Sequence, residues 1–175
     1  MKSTFKIGYL PLSKVNWTNP TLEAARENAL AFLRTLGDVE VVAPDHMLTL
    51  EGEAVELGAV PDEVFSSGAM GQGIAIEPAK GELYAPYDGE ISTFFPTGHA
   101  IGIETPGGAE LLIHVGMDTV ELNGKGFTPK VQTGDRIEKG QLLLEFDIDA
   151  IKEAGYPVTT PIIISNVDNF SDIIP

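Results

Sequence analysis

The sequence predicts a mainly β protein, an antiparallel β-sandwich or distorted barrel of many short strands, preceded by a strand–helix extension. Nineteen glycines and twelve prolines in 175 residues are typical of short strands joined by frequent turns. A composition of 43% hydrophobic and 21% charged residues is that of a folded globular chain. Short apolar segments bounded by turn residues recur along the chain, as a sheet of this kind requires: Gly73–Pro78, Gly89–Phe95, Ala100–Thr105, Ala109–Val115, Gln141–Phe146 and Pro161–Ser165.

The first 38 residues are predicted to form an atypical extension, and residues 39–175 the main domain. Phe5–Leu10 has the composition of a strand, and a helix is expected after Asn19, with Pro20 at its first position and Gly37 at its end. Residues 1–37 carry five basic and two acidic groups, a balance of +3. Since the whole chain carries −15, the remainder carries −18, and this change in charge marks the boundary.

The charge and composition exclude several classes of partner and site. With 26 acidic and 11 basic residues, the surface repels nucleic-acid phosphates and anionic lipid, so a basic protein is the expected partner. The chain has no cysteine, which excludes disulfides, thiolate catalysis and cysteine metal sites. The amino terminus has no long apolar segment, so a cytoplasmic location without membrane insertion is expected.

Two of the three histidines are predicted to face each other. The turn residues Thr105–Gly108 favour a hairpin, and a four-residue loop would place Glu104 opposite Ala109. In that register His99 lies opposite His114, with Cβ atoms about 5 Å apart. A shift of one residue would move the two rings to opposite faces of the sheet. The third histidine, His46, is expected in a surface loop.

A facing pair of imidazoles suits phosphoryl transfer. The neutral ring is nucleophilic at pH 7, and a second ring can donate a hydrogen bond to the phosphoryl oxygens. The apolar residues on both sides of His114 would exclude water and slow hydrolysis. On the residues alone, a structural histidine or a zinc pair remains an alternative.

The segment Gly108–Leu122 closely resembles the phosphorylation-site signature of the glucose-type enzyme IIA of the bacterial phosphoenolpyruvate-dependent sugar phosphotransferase system. Further similar blocks follow in the family's order over roughly residues 39–170: Val60–Phe65, Gly73–Ile76, Ala85–Gly89, Thr97–Ala100, Gly124–Phe127, Glu145–Asp147 and Pro161–Asn166. The resemblance implies a β-sandwich whose active site is a shallow apolar depression.

The resemblance also implies a role for each site residue. His114 would accept phosphate from the phosphocarrier HPr and pass it to a cysteine on the IIB domain of a sugar permease. His99 would assist transfer, Thr97 would form a hydrogen bond within the pair, and the carbonyl of Gly116 would orient the phosphorylated ring. No cofactor and no resident metal are implied, although the pair at His99 and His114 suits adventitious zinc.

An apolar patch ringed by carboxylates receives HPr in this family. The matching carboxylates are Asp62, Asp118 and Asp147, and the candidate apolar neighbours are Val64, Phe65 and Phe95. On the residues alone, a solvated charge or a turn cap is the better explanation of each aspartate, and only the resemblance to the family favours a partner-binding role.

The sequence departs from the family pattern at three places, of which the helix-bearing segment before Val39 is the first. Asp45–Glu51 is an extra segment, and the chain stops at Pro175 where the family continues into one more strand, so a missing final strand is expected. Three other functions stay open: a zinc-dependent hydrolase of related β fold, a biotinyl or lipoyl carrier, which the pattern of Gly134–Leu143 resembles, and regulatory binding of other proteins. For the carrier, Lys125 lies between two glycines and lacks the methionine neighbours usual at an attachment site.

Overall fold

The computed structural model describes residues 50–169. The predicted strand–helix extension of residues 1–38, the loop position of His46 and the missing final strand lie outside the described residues. Within the described range there are nine strands: β1 Leu50–Glu56, β2 Gln72–Tyr84, β3 Gly89–Phe94, β4 Ala100–Glu104, β5 Glu110–His114, β6 Phe127–Pro129, β7 Arg136–Ile137, β8 Leu142–Phe146 and β9 Thr160–Ile164. Two short α-helices, α1 Glu63–Ser66 and α2 Ile148–Glu153, and three 3₁₀ turns, Leu57–Ala59, Thr119–Leu122 and Val167–Asn169, connect them.

The strands form one antiparallel sheet that curls into a half-barrel, which confirms the mainly β prediction. The order is β6-β8-β2-β9-β5-β4-β3-β7, and β1 pairs with β2. Strand β2 continues past Pro78, where the sequence predicted an end, because it changes partners along its length. Its first half pairs with β9, its end pairs with β8, and Pro78 lies opposite Gly52 of β1.

Three strands have no counterpart in the prediction. β6 and β7 are three and two residues long, too short for an alternation of apolar and polar residues to appear. β1 mixes exposed and buried positions and begins inside the segment regarded as extra. No helix in residues 50–169 is long and apolar enough to cross a membrane.

The sheet is covered on both faces, and β5 lies between β4 and β9 near its centre. Successive residues of a strand point to opposite faces. Leu111 and Ile113 therefore enter the main core, while Leu112 packs against a second, smaller cluster formed by Val60, Phe65, Ala75, Met117 and Ile163. His114 follows Leu112 by two residues and shares that second face.

The predicted register of the β4–β5 hairpin is wrong by one residue. Ala100, not His99, is the partner of His114, and Glu104 lies opposite Glu110. The loop has one residue more than predicted because Gly108 adopts a positive φ of 80° and Ala109 stays outside the ladder. The N–H of Ala109 instead donates to the side-chain oxygen of Thr105 at 3.0 Å.

Candidate active site

His114 is the last residue of β5, and its ring is held by the turn that follows. The Nδ1–H donates to the carbonyl of Gly116 at 2.7 Å, since a carbonyl can only accept. The opposite nitrogen, Nε2, therefore keeps its lone pair. Gly116 has a positive φ of 74°, which turns its carbonyl back towards the ring.

His99 lies in the turn before β4, and its ring is held by Thr97. The Oγ1 of Thr97 lies 2.6 Å from Nδ1 of His99. Gly98 between them has a positive φ of 73°, and a Cβ at this position would lie 2.9 Å from Cβ of Phe127. The turn therefore fits closely against β6.

The two rings meet although the register that predicted their meeting is wrong. Their centroids are 4.9 Å apart, with an angle of 76° between the ring planes. His99 precedes the first residue of β4, so the strict alternation of side chains along a strand does not apply to it. The positive φ of Gly98 turns His99 towards the face that carries His114.

Aromatic side chains enclose the pair on two sides. The ring of Phe65 lies 5.2 Å from that of His114, and the ring of Phe95 lies 5.4 Å from that of His99. His99 is only 6% exposed and Phe65 is 8% exposed. The site therefore has the apolar surroundings that the sequence predicted.

Both histidines are held neutral at physiological pH. Burial, together with the neighbouring His114, lowers the pKa of His99 to about 4. Burial also lowers the pKa of His114, and the Gly116 carbonyl and the carboxylates of Asp62 and Asp118 act in the opposite direction. A neutral His114 is the nucleophilic form.

The three candidate aspartates occupy different kinds of position. Asp62 caps α1 by accepting from the N–H of Val64 at 2.8 Å, and Asp147 caps α2 by accepting from Ala150 at 2.9 Å. Asp118 has a positive φ of 55° and makes no capping bond to the 3₁₀ turn that it precedes. Asp62 and Asp147 are therefore helix caps, as the residues alone suggested. In addition, the negative charges of Asp62 and Asp118 act to raise the pKa of His114.

The candidate apolar neighbours divide into exposed and buried residues. Val64 is 52% exposed and Phe95 is 38% exposed, so both can contact a partner directly. Phe65 is buried, and its ring lies against that of His114. Val120, 43% exposed, belongs to the 3₁₀ turn that follows Asp118 and was not singled out from the sequence.

Thr119 and Pro157 support the site and were missed by the sequence reasoning. Thr119 is fully buried, and its hydroxyl donates to the carbonyl of Val115 at 2.5 Å. The carbonyl of Pro157 accepts from the N–H of Met117 at 3.0 Å. The hydroxyl four residues after its acceptor is a recognisable local pattern for threonine, whereas the contact with Pro157 is long-range and leaves no signal in the sequence.

Two of the alternative functions, the biotinyl or lipoyl carrier and the zinc hydrolase, require features that residues 50–169 do not supply. Lys125 is exposed in an irregular turn between the 3₁₀ turn Thr119–Leu122 and β6, not at the tip of a hairpin. Among residues 50–169, no group of three or more His, Asp or Glu side chains could hold a metal ion.

Comparison with known proteins decides the family. A family model described as phosphoenolpyruvate-dependent sugar phosphotransferase system, EIIA 1, matches residues 45–170. The chain belongs to this family. The EIIA match contains the two site histidines, Thr97, Gly116 and all the candidate partner-binding residues.

Individual relatives agree with the assignment to the EIIA family. The chain is 46% identical to a glucose-specific EIIA component from Oceanobacillus iheyensis over 136 residues, 78% of this chain and 79% of the relative. It is 47% identical over 156 residues to a beta-glucoside-specific EIIBCA component from Dickeya chrysanthemi, covering 89% of this chain but only 25% of that relative. The chain thus spans about a quarter of that multidomain protein.

A solved structure shares the fold. The glucose permease IIA from Mycoplasma capricolum superposes with a TM-score of 0.66 at 37% identity, covering 67% of this chain and 77% of that one. No support for a hydrolase or for a biotinyl or lipoyl carrier comes from these comparisons.

Proposed function

We propose that this EIIA domain carries a phosphoryl group on Nε2 of His114, receiving it from HPr and donating it to the IIB domain of a sugar permease. The single observation that supports this most directly is the orientation of His114. Its Nδ1–H is committed to the carbonyl of Gly116 at 2.7 Å, so Nε2 is the nitrogen with an available lone pair.

The transfer step follows from this geometry. The Nε2 lone pair of His114 attacks phosphorus, the bond between phosphorus and the donor's histidine nitrogen breaks, and that nitrogen takes the electron pair. The phosphorylated ring gains positive charge, and the Gly116 carbonyl stabilises it through the retained Nδ1–H. On donation, a cysteine thiolate attacks phosphorus and the electron pair returns to Nε2.

His99 acts as the second group of the site. If the hydroxyl of Thr97 donates to Nδ1, the proton of the neutral His99 ring is on Nε2, where it can be donated to a phosphoryl oxygen. The 4.9 Å separation of the ring centroids supports this role for His99. A hydrogen bond that strengthens as charge develops stabilises the transferring group.

The surface around the pair suits a basic partner. Exposed Val64, Phe95 and Val120 supply apolar contact area next to the histidines. Asp62 and Asp118 act electrostatically on His114 and supply negative charge at the same place. Positive groups around the donor histidine of HPr would be attracted to this patch.

No cofactor is needed for this chemistry, and the covalent phosphohistidine is the only intermediate. The two imidazoles suit zinc but supply fewer protein ligands than a resident zinc site requires. Zinc bound there would be adventitious. Since phosphoryl transfer depends mainly on positioning and charge stabilisation, the histidine pair and the Gly116 carbonyl suffice.

The test is phosphorylation from phosphoenolpyruvate in the presence of enzyme I and HPr, with the acid-labile phosphate located by mass spectrometry. Phosphate is expected on His114 alone, and His114→Ala should abolish acceptance. Label at any other residue, or undiminished labelling of His114→Ala, would overturn the assignment. The variant Phe95→Leu keeps both site histidines while altering one exposed contact, and it should still be labelled on His114, which would show that a change near the pair does not by itself abolish acceptance.

A further inference from the structure

Three consecutive peptide groups after His114 are each held by a different part of the protein. The N–H of Val115 donates to the carbonyl of His99, the carbonyl of Val115 accepts from Thr119, and the carbonyl of Gly116 accepts from the ring of His114. We propose that Thr119 is a positioning residue that sets the orientation of these peptides and so selects the reactive nitrogen of His114. The proposal rests on the proposed phosphoryl-carrier function.

Both branches of the Thr119 side chain contact the middle peptide of the three, which joins Val115 to Gly116. Its hydroxyl donates to the carbonyl of Val115, and its methyl group lies against Gly116, where a Cβ would be only 2.5 Å from it. The residue has no exposed surface, so water cannot replace the hydroxyl as a donor to Val115.

The Gly116–Met117 peptide, whose carbonyl contacts the His114 ring, is also held by a hydrogen bond at its N–H. The N–H of Met117 donates to the carbonyl of Pro157 at 3.0 Å, and the carbonyl of Gly116, in the same peptide, accepts from Nδ1 of His114. Rotation of this peptide is opposed at one end by Pro157 and, through the adjoining peptide, by Thr119. A hydrogen bond at the N–H also polarises the carbonyl and strengthens it as an acceptor.

The consequence concerns the tautomer of His114. The two neutral tautomers of an imidazole are close in energy, so a fixed carbonyl at Nδ1 decides which nitrogen carries the proton. If the Val115–Gly116 peptide were free to rotate, the adjoining Gly116–Met117 peptide would be restrained by Pro157 alone. The Gly116 carbonyl would then leave Nδ1 for part of the time, and the proton would also populate Nε2. Nε2 would then lack the lone pair that attacks phosphorus.

The test compares Thr119→Val, which keeps the shape and removes the hydroxyl, with Thr119→Ser, which keeps the hydroxyl. Thr160→Val is the matched control, because Thr160 is also fully buried and donates to a backbone carbonyl, that of Val158, at 2.8 Å. Each variant is assayed for the tautomer of unphosphorylated His114 by ¹⁵N NMR of the imidazole nitrogens, for the rate of phosphate acceptance from HPr, and for stability to urea.

Thr119→Val is expected to populate the Nε2–H tautomer of His114 and to accept phosphate roughly tenfold more slowly, as loss of one buried hydrogen bond implies. Thr119→Ser should have the tautomer and the acceptance rate of the unmodified protein. Thr160→Val should be less stable to urea but should keep the same tautomer and acceptance rate. A His114 tautomer and acceptance rate in Thr119→Val equal to those of Thr160→Val would overturn the proposal. Because the tautomer is read without phosphate, failure of the carrier function itself would be seen separately, as absence of labelling in the unmodified protein.

Discussion

The backbone N–H of Val115 donates a 2.7 Å hydrogen bond to the backbone carbonyl of His99. Val115 directly follows His114, so this bond joins the chain segments that carry the two site histidines. The distance between the imidazole rings is therefore set by backbone contacts as well as by side-chain packing. A change in either ring leaves this connection intact, which makes substitutions of the histidines interpretable.

His99→Gln is expected to retain phosphate acceptance on His114 but to slow onward transfer to the IIB domain by about tenfold to a hundredfold. Loss of a donor that stabilises developing charge has an effect of this size or larger. Single-turnover transfer from phosphorylated protein to IIB would measure it. His114→Ala, which cannot be labelled, is the negative control, and onward transfer at the unmodified rate would contradict the role of His99.

Gly116→Ala should destabilise the fold by about 2 kcal/mol or more and reduce phosphate acceptance. An added Cβ would lie 2.7 Å from the carbonyl of Pro157 and would occupy a backbone conformation with φ of 74°. Gly108→Ala is the matched control: its φ is 80°, but nothing lies within 4 Å of the added Cβ. Urea denaturation should show a smaller loss, about 1 kcal/mol, for Gly108→Ala. Equal losses would mean that the close fit around Gly116 is unimportant.

Stability should fall with acidification in a way that depends on His99. Its pKa is about 4 in the folded state and about 6.5 in the unfolded chain, so the unfolded chain binds the extra proton between these values. His99 therefore does not lower the free energy of unfolding at pH values well above 6.5. As the pH falls towards 4, protonation of the unfolded chain lowers that free energy, by about 2 kcal/mol at pH 5. Denaturation of the unmodified protein and of His99→Gln at pH 7.5, 6 and 5 measures it. Parallel losses in both proteins would show that His99 is not responsible.

Asp62→Asn should lower the pKa of His114 while leaving α1 capped. The Asp62 carboxylate favours the charged form of His114, and asparagine caps a helix about as well as aspartate. An NMR titration of the His114 ring would measure the shift. Asp147→Asn removes a charge from another capping position and should shift this pKa less. A larger shift in Asp147→Asn would contradict the placement of Asp62 beside the site.

Removal of metal should leave phosphate acceptance unchanged. Two imidazoles alone are too few ligands for a resident zinc ion. Dialysis against a chelator, followed by labelling from HPr, is the measurement. Restoration of a lost activity by added zinc would instead indicate a metal-dependent site, and excess zinc is expected to inhibit by occupying the Nε2 lone pair of His114.

The local chemistry of the strands and turns was readable from the sequence. The apolar segments around Leu111, Ile101 and Ile163 are strands, and the turn residues between them separate those strands. The short strands β6 and β7 were not predictable, because two or three residues carry no periodic pattern. Strand β1 was missed because its burial alternates irregularly.

The sequence by itself determined which residues are candidates for the site: the two histidines follow from the hairpin between them, and Thr97 and Gly116 from the resemblance to the family. Only the tertiary structure decided how they meet. The hairpin register differs by one residue from the expected one, and the rings come together because Gly98 turns His99 out of the pleated strand. The register depends on how Thr105 and Gly108 close the loop between β4 and β5. The hydrogen bond from Met117 to Pro157, which holds the peptide beside the His114 ring, comes from a segment distant in the chain. Such contacts are specified by packing between segments, which no local pattern records.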